Sequence, residues 1–297
     1  MLTHYTLHDV FAASGQAGQE SAFLELGVGA RPLGMGGAFV AISNDANATY
    51  WNSAGLTYLK KRELTSMHTE LFMDSRFYYL AYVHPFSERT GNFGLSWMQL
   101  TSQDLPKTRG VVDENGNPVI DPNTGKQKVE IYDYFDTTDN AVLIGYGKKI
   151  KAKIRCGINT KLILRKMNGE SGFGLGVDLG GMYEPIDKLS LGLIVQDIGR
   201  TRVHWTTGSN DYTPMNVKLG GAYTVLNHDE SNLIVTADIS QKIKKKHDPI
   251  FHLGGEWKIA KLIALRLGYD DSNLTAGAGF MMKLDGTTFL ADYAYVT

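Results

Sequence analysis

The sequence predicts an all-β fold, a transmembrane antiparallel β-barrel built from long strands. Two observations predict it: apolar and polar side chains alternate strictly with a period of two, and the alternating runs are about 10 to 14 residues long. Strands of soluble domains mostly span about 5 to 6 residues, whereas a tilted strand that crosses a bilayer needs about 9 to 11. The alternative is a large soluble β-sandwich, in which the apolar faces pack into a core.

The composition of the 297 residues excludes several other classes of protein. With 30 basic and 31 acidic side chains, the chain lacks the basic surface of a nucleic-acid-binding protein. Its 43% hydrophobic content is too high for a disordered chain, and a single cysteine, Cys156, excludes a disulfide framework. No apolar run is long enough for a transmembrane helix. Mean hydropathy is −0.19, which is compatible with barrel strands because their two faces average out.

The alternation is clearest in residues 232–243 and 153–166. In the first run the apolar face carries Leu233, Val235, Ala237 and Ile239, and the polar face carries Thr236, Asp238, Ser240 and Lys242. The same pattern predicts thirteen strands: 62–71, 77–86, 91–102, 137–150, 153–166, 172–184, 189–199, 215–226, 232–243, 250–259, 262–270, 274–284 and 287–297.

The connections between these strands are of two kinds. Most are short, whereas residues 103–136 and 200–214 form long loops, and short turns on one rim with longer loops on the other are typical of outer-membrane barrels. Bacterial single-chain barrels have even strand numbers. We therefore expect about 14 strands, and two explanations for the odd count stay open: the last strand is missing from this chain, or the pattern miscounts the strands by one.

Residues 21–60 differ from the rest, since they are rich in glycine and alanine and do not alternate. They are predicted to fold back into the barrel as a plug, with Asp45 capping a short helix over residues 46–51. Pro32 interrupts any dinucleotide-binding glycine motif. The predicted organisation is a tail at 1–20, in which no secretory signal is visible, a plug at 21–60 and a barrel at 61–297. The residues expected to define the plug motif are Gly34, Gly36, Gly37, Asp45, Trp51 and Asn52.

No pattern points to catalysis, so we expect no enzyme activity, no catalytic residue, no cofactor and no metal site. The eight histidines are scattered, and the G-x-S-x-G motif is missing. Residues 113–117 resemble half of a calcium loop but are better explained, with residues 123–125, as hairpin turns. The lysines at 244–246 predict a solvated loop, or a contact with lipopolysaccharide phosphates.

Residues 29–56, GARPLGMGGAFVAISNDANATYWNSAGL, resemble the N-terminal signature of a family of outer-membrane barrels. This family includes the UPF0164 group and the PorV/PorQ proteins of type IX secretion, and it is more distantly related to the long-chain fatty-acid transporter FadL. Ser53 stands where the family usually has proline. The resemblance implies a fourteen-stranded barrel with an N-terminal plug in the bacterial outer membrane, in contact with lipid and lipopolysaccharide.

Charged residues on the polar faces are expected to point into the lumen. Two interpretations stay open: they pair with one another and with the plug, or they line a solute path. The candidates are Arg155, Lys161, Arg165, Asp178, Asp238, Glu256 and Arg266.

Two functions are compatible with this organisation. The FadL relationship implies passive transport of small hydrophobic compounds, gated by the plug, and this is the preferred interpretation. Alternatively, the protein binds secreted partners through its long loops, as the PorV resemblance implies. Aromatic residues on those loops are the candidate contacts: Tyr132, Tyr134, Phe135, Trp205 and Tyr212.

Overall fold

The computed structural model describes residues 22–71, 74–228, 230–243 and 248–297. The predicted tail at 1–20 and the lysines at 244–246 lie outside the described residues. The described strands are β1 (Glu63–Glu70), β2 (Arg76–Ser87), β3 (Gly91–Gly110), β4 (Val129–Lys151), β5 (Ile154–Met167), β6 (Glu170–Ile186), β7 (Leu189–Gln196), β8 (Thr201–Trp205), β9 (Asn210–Thr213), β10 (Asn216–His228), β11 (Ser231–Lys242), β12 (Ile250–Ile259), β13 (Ile263–Asp270), β14 (Asn273–Leu284) and β15 (Thr287–Val296).

Thirteen of these strands form one antiparallel sheet in chain order, in which β7 pairs with β10. They correspond one to one with the thirteen predicted strands, so this part of the prediction is confirmed. Within the described residues, β1 pairs with β2 alone and β15 with β14 alone. The described strands therefore form a sheet that is not closed into a cylinder.

The prediction that residues 103–136 form a loop is wrong. Strands β3 and β4 continue through this region, and their pairing extends from Leu105 opposite Phe135 to Gly110 opposite Val129. The neighbouring strands end earlier, at Arg76 opposite Thr101 and at Met167 opposite Thr137. We call residues 103–136 the ribbon, because they project beyond the sheet as two strands. The predicted turns are confirmed at its tip, where Gly116 and Gly125 have positive φ angles.

The second predicted loop, residues 200–214, contains the short hairpin β8–β9. Strand β6 pairs with β7 through residues 179–186 and with β8 through residues 172–175. The neighbour of β6 thus changes where β7 ends. Neither strand was predicted, because runs of four and five residues are too short to show alternation.

In this sheet the apolar face is exposed and the polar face is buried, the reverse of the arrangement in a soluble protein. On β6, Phe173, Leu175 and Leu179 are 48–58% exposed, whereas Asp178, on the other face, is 1% exposed. Strand β12 repeats the arrangement, with Phe251 and Leu253 exposed and Glu256 buried. The apolar face is therefore the outer face of the sheet and the polar face is the inner one. The soluble sandwich, which needs covered apolar faces, does not describe this fold.

The buried core lies on the inner face and is built largely from residues 22–59, which we call the inner segment. It contains 3-10 helices at Ala22–Glu25 and Ser53–Tyr58, and one-turn helices α1 (Ala30–Leu33) and α2 (Ala48–Trp51). Helix α2 begins at Ala48, two residues later than predicted, because the Asp45 carboxylate accepts a hydrogen bond from the Asn47 backbone at 3.0 Å and holds a turn there. The side chains of the inner segment include the fully buried Val28, Met35, Phe39 and Leu56.

Candidate functional site

Ten glycines line the inner face of the sheet beneath the inner segment, and we call them the glycine belt. A Cβ added at any of them would come within 3.2 Å of an atom of the inner segment. Several are directly opposite one another on neighbouring strands, as Gly157 is to Gly147 and to Gly180. The missing side chains let the two backbones approach closely. The belt consists of Gly94, Gly145, Gly147, Gly157, Gly180, Gly192, Gly220, Gly254, Gly268 and Gly277.

The predicted motif glycines Gly34, Gly36 and Gly37 lie where the inner segment meets strands β12 to β14. Gly36 has a φ of 63°, and its amide donates a hydrogen bond to Thr275 Oγ1 at 2.9 Å. A side chain at Gly36 would collide with the backbone of Tyr269. Both the backbone conformation and the close approach therefore require glycine at this position.

Arg31 connects the inner segment to strand β12. Its Nε and Nη2 atoms donate to the two carboxylate oxygens of Glu256 at 2.8 and 2.9 Å, and its Nη1 donates to Asp45 Oδ2 at 2.8 Å. Burial alone would lower the pKa of Arg31, but the charges of Glu256 and Asp45 outweigh it and hold the pKa above its usual value. Arg31 therefore stays charged in a bidentate pair, the strongest ion-pair geometry that a carboxylate offers.

Glu256 also accepts a hydrogen bond from Arg266 on β13, at 2.8 Å. Arg266 in turn donates to Asp292 on β15, at 2.6 Å. The ion pairs thus run from Asp45 through Arg31, Glu256 and Arg266 to Asp292. This network joins the inner segment to three strands of the wall.

A second group of ion pairs lies on strands β4, β5 and β6 and at the end of β7. Lys161 Nζ lies 2.9 Å from Asp178 Oδ1 and 2.7 Å from Asp197 Oδ1. Further along β5, Arg165 pairs with Asp139 at 2.7 Å.

The remaining inner-face candidates contact the inner segment. Asp238 Oδ2 accepts a hydrogen bond from the Val40 backbone at 2.9 Å, and the Arg155 guanidinium lies 4.1 Å from the ring centroid of Tyr58. Arg155 also pairs with Glu184 at 2.6 Å. All seven inner-face candidates thus have partners in the structure, and a solute path along them stays a prediction.

Asn52 and Trp51 fix the second half of the inner segment. Asn52 Nδ2 donates to the carbonyls of Val40 at 3.0 Å and Gly181 at 3.2 Å, which ties the segment to β6. The Trp51 indole donates to the Val28 carbonyl at 2.9 Å. Both side chains are buried, so these hydrogen bonds are shielded from water.

The aromatic residues predicted as loop contacts lie on strands. Tyr132 and Tyr134 belong to β4 within the ribbon and are 55% and 56% exposed, whereas Phe135 is partly buried. Trp205 on β8 is buried, with Arg165 lying over its ring, so it is not an exposed loop residue as predicted. Arg200 and Arg202 both lie over the ring of Tyr212 on β9.

Residues 22–71, 74–228, 230–243 and 248–297 contain neither a candidate metal site nor a candidate membrane helix. Over these ranges, no group of three or more His, Cys, Asp or Glu side chains is arranged to hold a metal ion. No described helix has the length and apolar character needed to cross a membrane.

Two models of known protein families match this chain. The model of the uncharacterised protein family UPF0164 matches residues 10–176, which is more than half of the sequence. The chain belongs to UPF0164. A second family of unknown function, DUF5723, matches residues 121–261. No curated protein matches the sequence.

Solved structures similar to this UPF0164 chain include a toluene transporter and a FadL homologue. The Pseudomonas putida toluene transporter TodX is 12% identical, with 87% of this chain and 89% of that chain covered and a TM-score of 0.57. A TodX deltaS2S3 mutant, named as a monoaromatic hydrocarbon channel, is 13% identical over 91% and 97% of the two chains, with a TM-score of 0.58. A Pseudomonas aeruginosa FadL homologue is 11% identical over 88% and 87%, with a TM-score of 0.52. At these identities the likeness shows the fold, which is that of FadL-like barrels.

The sequence predicted neither the pairing of Arg31 with Glu256 nor the glycine belt of this UPF0164 chain. Arg31 stands in the family-like signature, but nothing near it indicates Glu256, which is 225 residues away. The glycine belt does leave a signal, because most strands of the sheet carry a glycine at an inner position. In an alternating pattern such glycines appear as gaps, so the surface that they form together is not recognised.

Proposed function

We propose that this UPF0164 protein is an outer-membrane β-barrel that passes small hydrophobic compounds by diffusion, with the inner segment acting as the gating plug. One observation carries the proposal: the inner segment occupies the inner face of the sheet, while the outer face exposes rows of apolar side chains. A plugged cylinder in lipid explains both features. A soluble protein would leave the outer rows in water, which is unfavourable for so large an apolar surface.

Aromatic side chains at the strand ends support the location in a membrane. Phe86, Phe93 and Tyr146 are clustered near the short turn between β2 and β3, with ring centroids 4.9–5.7 Å apart. Aromatic girdles of this kind lie at membrane interfaces. Lipid and lipopolysaccharide would then be the surrounding partners of the protein.

The names of the similar structures supply the substrate class. TodX is named as a toluene transporter and as a monoaromatic hydrocarbon channel. The proposal extends that class, small apolar compounds, to this chain. No covalent step is involved, so the protein would not act as an enzyme.

The gating step follows from how the inner segment is anchored. Arg31 holds it to β12, and Asn52 holds it to β6. The stretch between Asp45 and Asn52 is linked to the first anchor through the Asp45 carboxylate. A shift of this stretch would open an exit for a solute that enters from the rim bearing the ribbon.

Uptake by liposomes tests the proposal. The full-length protein is reconstituted, and uptake of labelled fatty acids and toluene is compared with that of protein-free liposomes. We expect faster uptake with the wild-type protein, and a further rise for Asp45→Ala, because Arg31 then loses one partner in the inner segment. Glu130→Ala, which removes an exposed ion pair from the ribbon, is the matched control and should leave uptake unchanged. Uptake equal to that of protein-free liposomes for every variant would refute the transport proposal.

A second candidate function is favoured by the ribbon. Val129, Ile131, Tyr132 and Tyr134 are 54–61% exposed on it, and exposed aromatic anchors of this kind mark protein-binding surfaces. In this alternative the protein holds secreted partners, as the PorV resemblance implies. Replacing residues 104–135 by an Asn-Gly turn would then abolish partner binding, whereas a transporter would keep its uptake rate.

A further inference from the structure

A small cavity lies where the pairing of the sheet changes. It has a volume of about 20 Å³ and is lined by residues of the inner segment and of strands β4, β5, β6, β7, β9 and β10, including Lys161, Asp178, Thr213 and Asn216. At this level β7 has ended at Gln196 and β10 begins at Asn216. The interruption brings side chains from several strands to one point.

Three buried oxygen atoms belong to residues that line this cavity. They are Asp178 Oδ2, Thr213 Oγ1 and Asn216 Oδ1, and none of them has a hydrogen-bond partner among the described residues. Asp178 is 1% exposed and Thr213 is 3% exposed. Buried polar atoms in proteins are nearly always satisfied, and a carboxylate oxygen is the most costly to leave unpaired. Three such atoms around one cavity indicate a ligand that accepts electron pairs from oxygen.

The charges around the cavity do not balance. A single ammonium group, Lys161, serves the two buried carboxylates of Asp178 and Asp197. Glu25, which also lines the cavity, is paired with Lys242 at 2.7 Å. Lys218, the next inner-face ammonium group along β10, is partly buried and interacts electrostatically with Asp270, Asp238 and Glu25. The two carboxylates of Asp178 and Asp197 therefore share one ammonium group, and a buried charge without a counter-charge is strongly unfavourable.

We propose that this cavity binds a small monovalent cation, held by Asp178 Oδ2, Thr213 Oγ1 and Asn216 Oδ1. The volume accommodates one particle of the size of a water molecule. All three ligand atoms are oxygens, the donors that hard cations prefer. A monovalent ion neutralises the remaining charge, whereas a water molecule leaves it and a divalent ion reverses it. The bound ion would join β6, β9 and β10 beside Glu25 and Tyr50, and so brace the start of the inner segment.

Thermal unfolding in different salts tests this site. The full-length protein in detergent is heated in sodium chloride or in choline chloride at the same ionic strength, since choline is too large for the cavity. Sodium is expected to raise the Tm of the wild-type protein in a saturable way, by about 3 °C at ten times the dissociation constant. Asp178→Asn removes the charged ligand and should abolish the difference between the two salts.

A matched control removes a different inner-face carboxylate. Asp139→Asn breaks the pair with Arg165 and lies away from the cavity, so it should lower Tm in both salts but keep the sodium effect. If Asp178→Asn does not fold, Thr213→Val and Asn216→Leu serve instead, because they remove neutral ligands and keep the ion pairs. Each is expected to raise the dissociation constant for sodium, obtained from the dependence of Tm on sodium concentration, about tenfold. Equal Tm values of the wild-type protein in the two salts, or a sodium effect that survives these variants, would overturn the proposal.

Discussion

The inner segment and the ribbon are additions of similar length to one sheet, yet their surroundings are opposite. The inner segment, residues 22–59, is covered by the inner face of the sheet, and most of its side chains are buried. The ribbon, residues 103–136, extends past its neighbouring strands, and its side chains are mostly exposed. The inner segment therefore depends on tertiary contacts for its shape, whereas the ribbon depends on its own hairpin pairing.

The ion pairs of the inner segment and of the ribbon differ in how far they are exposed to water. Arg31 and Glu256 form a bidentate pair whose side chains are 9% and 0% exposed, whereas Arg109 and Glu130 in the ribbon are 66% and 49% exposed. Water screens the second pair and not the first. The same type of contact should therefore matter for stability only in the inner segment.

The largest effect is expected from Arg31→Met. This substitution leaves Glu256 buried with only part of its positive partners, and breaking a buried ion pair costs about 3–5 kcal/mol. The free energy of unfolding in urea, measured in lipid or detergent, should fall by that amount. Proteolysis of the inner segment should also become faster.

The ribbon supplies the control for this experiment. Arg109→Met removes the exposed partner of Glu130 and should change the unfolding free energy by less than about 1 kcal/mol. If the two substitutions destabilise the protein equally, the inner segment is not buried as described.

A smaller effect is expected from changes in the glycine belt. A Cβ at Gly254 would lie 2.5 Å from the Met35 carbonyl oxygen, whereas a Cβ at the neighbouring Gly255 would lie 3.9 Å from its nearest atom. Gly254→Ala should therefore destabilise the protein by about 1–3 kcal/mol, the usual cost of overpacking. Gly255→Ala should be nearly neutral. Equal urea midpoints for the two variants would argue against close packing of the inner segment on the sheet.

The smallest effect is expected from shortening the ribbon. Replacing residues 104–135 by an Asn-Gly turn removes no side chain that packs in the core, so the unfolding free energy should change by less than about 1 kcal/mol. Thermal unfolding, followed by the circular dichroism signal of the β-structure, measures the stability of the variant against that of the wild-type protein. A large fall in stability would mean that the ribbon supports the sheet.

The sequence was sufficient to predict the strands of the sheet and the polarity of their faces. Alternation is a local property, and the outward Val235 and inward Asp238 follow directly from it. The ribbon was missed because charged residues such as Lys107 and Glu130 occur where an apolar face would otherwise be seen. The hairpin β8–β9 was missed because its strands are too short for a period to emerge.

The contacts that fix the inner segment could not be derived from the sequence. Arg31 and Glu256 are far apart in the chain, and only the three-dimensional pairing of strands brings them together. The same is true of Asp178, Thr213 and Asn216, whose meeting depends on where β7 ends. Local patterns carry no information on which inner positions of different strands share one level of the sheet.

A cysteine scan along β11 tests the central claim most directly. In a Cys156→Ser background, residues 233–240 are replaced one at a time by spin-labelled cysteine, and the protein is reconstituted in liposomes. Labels at Leu233, Val235, Ala237 and Ile239 should collide with oxygen, which dissolves in lipid, and not with a water-soluble nickel chelate. Labels at the alternate positions should be shielded from both reagents. Nickel access at the outer positions, or shielding there from both reagents, would contradict an apolar outer face in lipid.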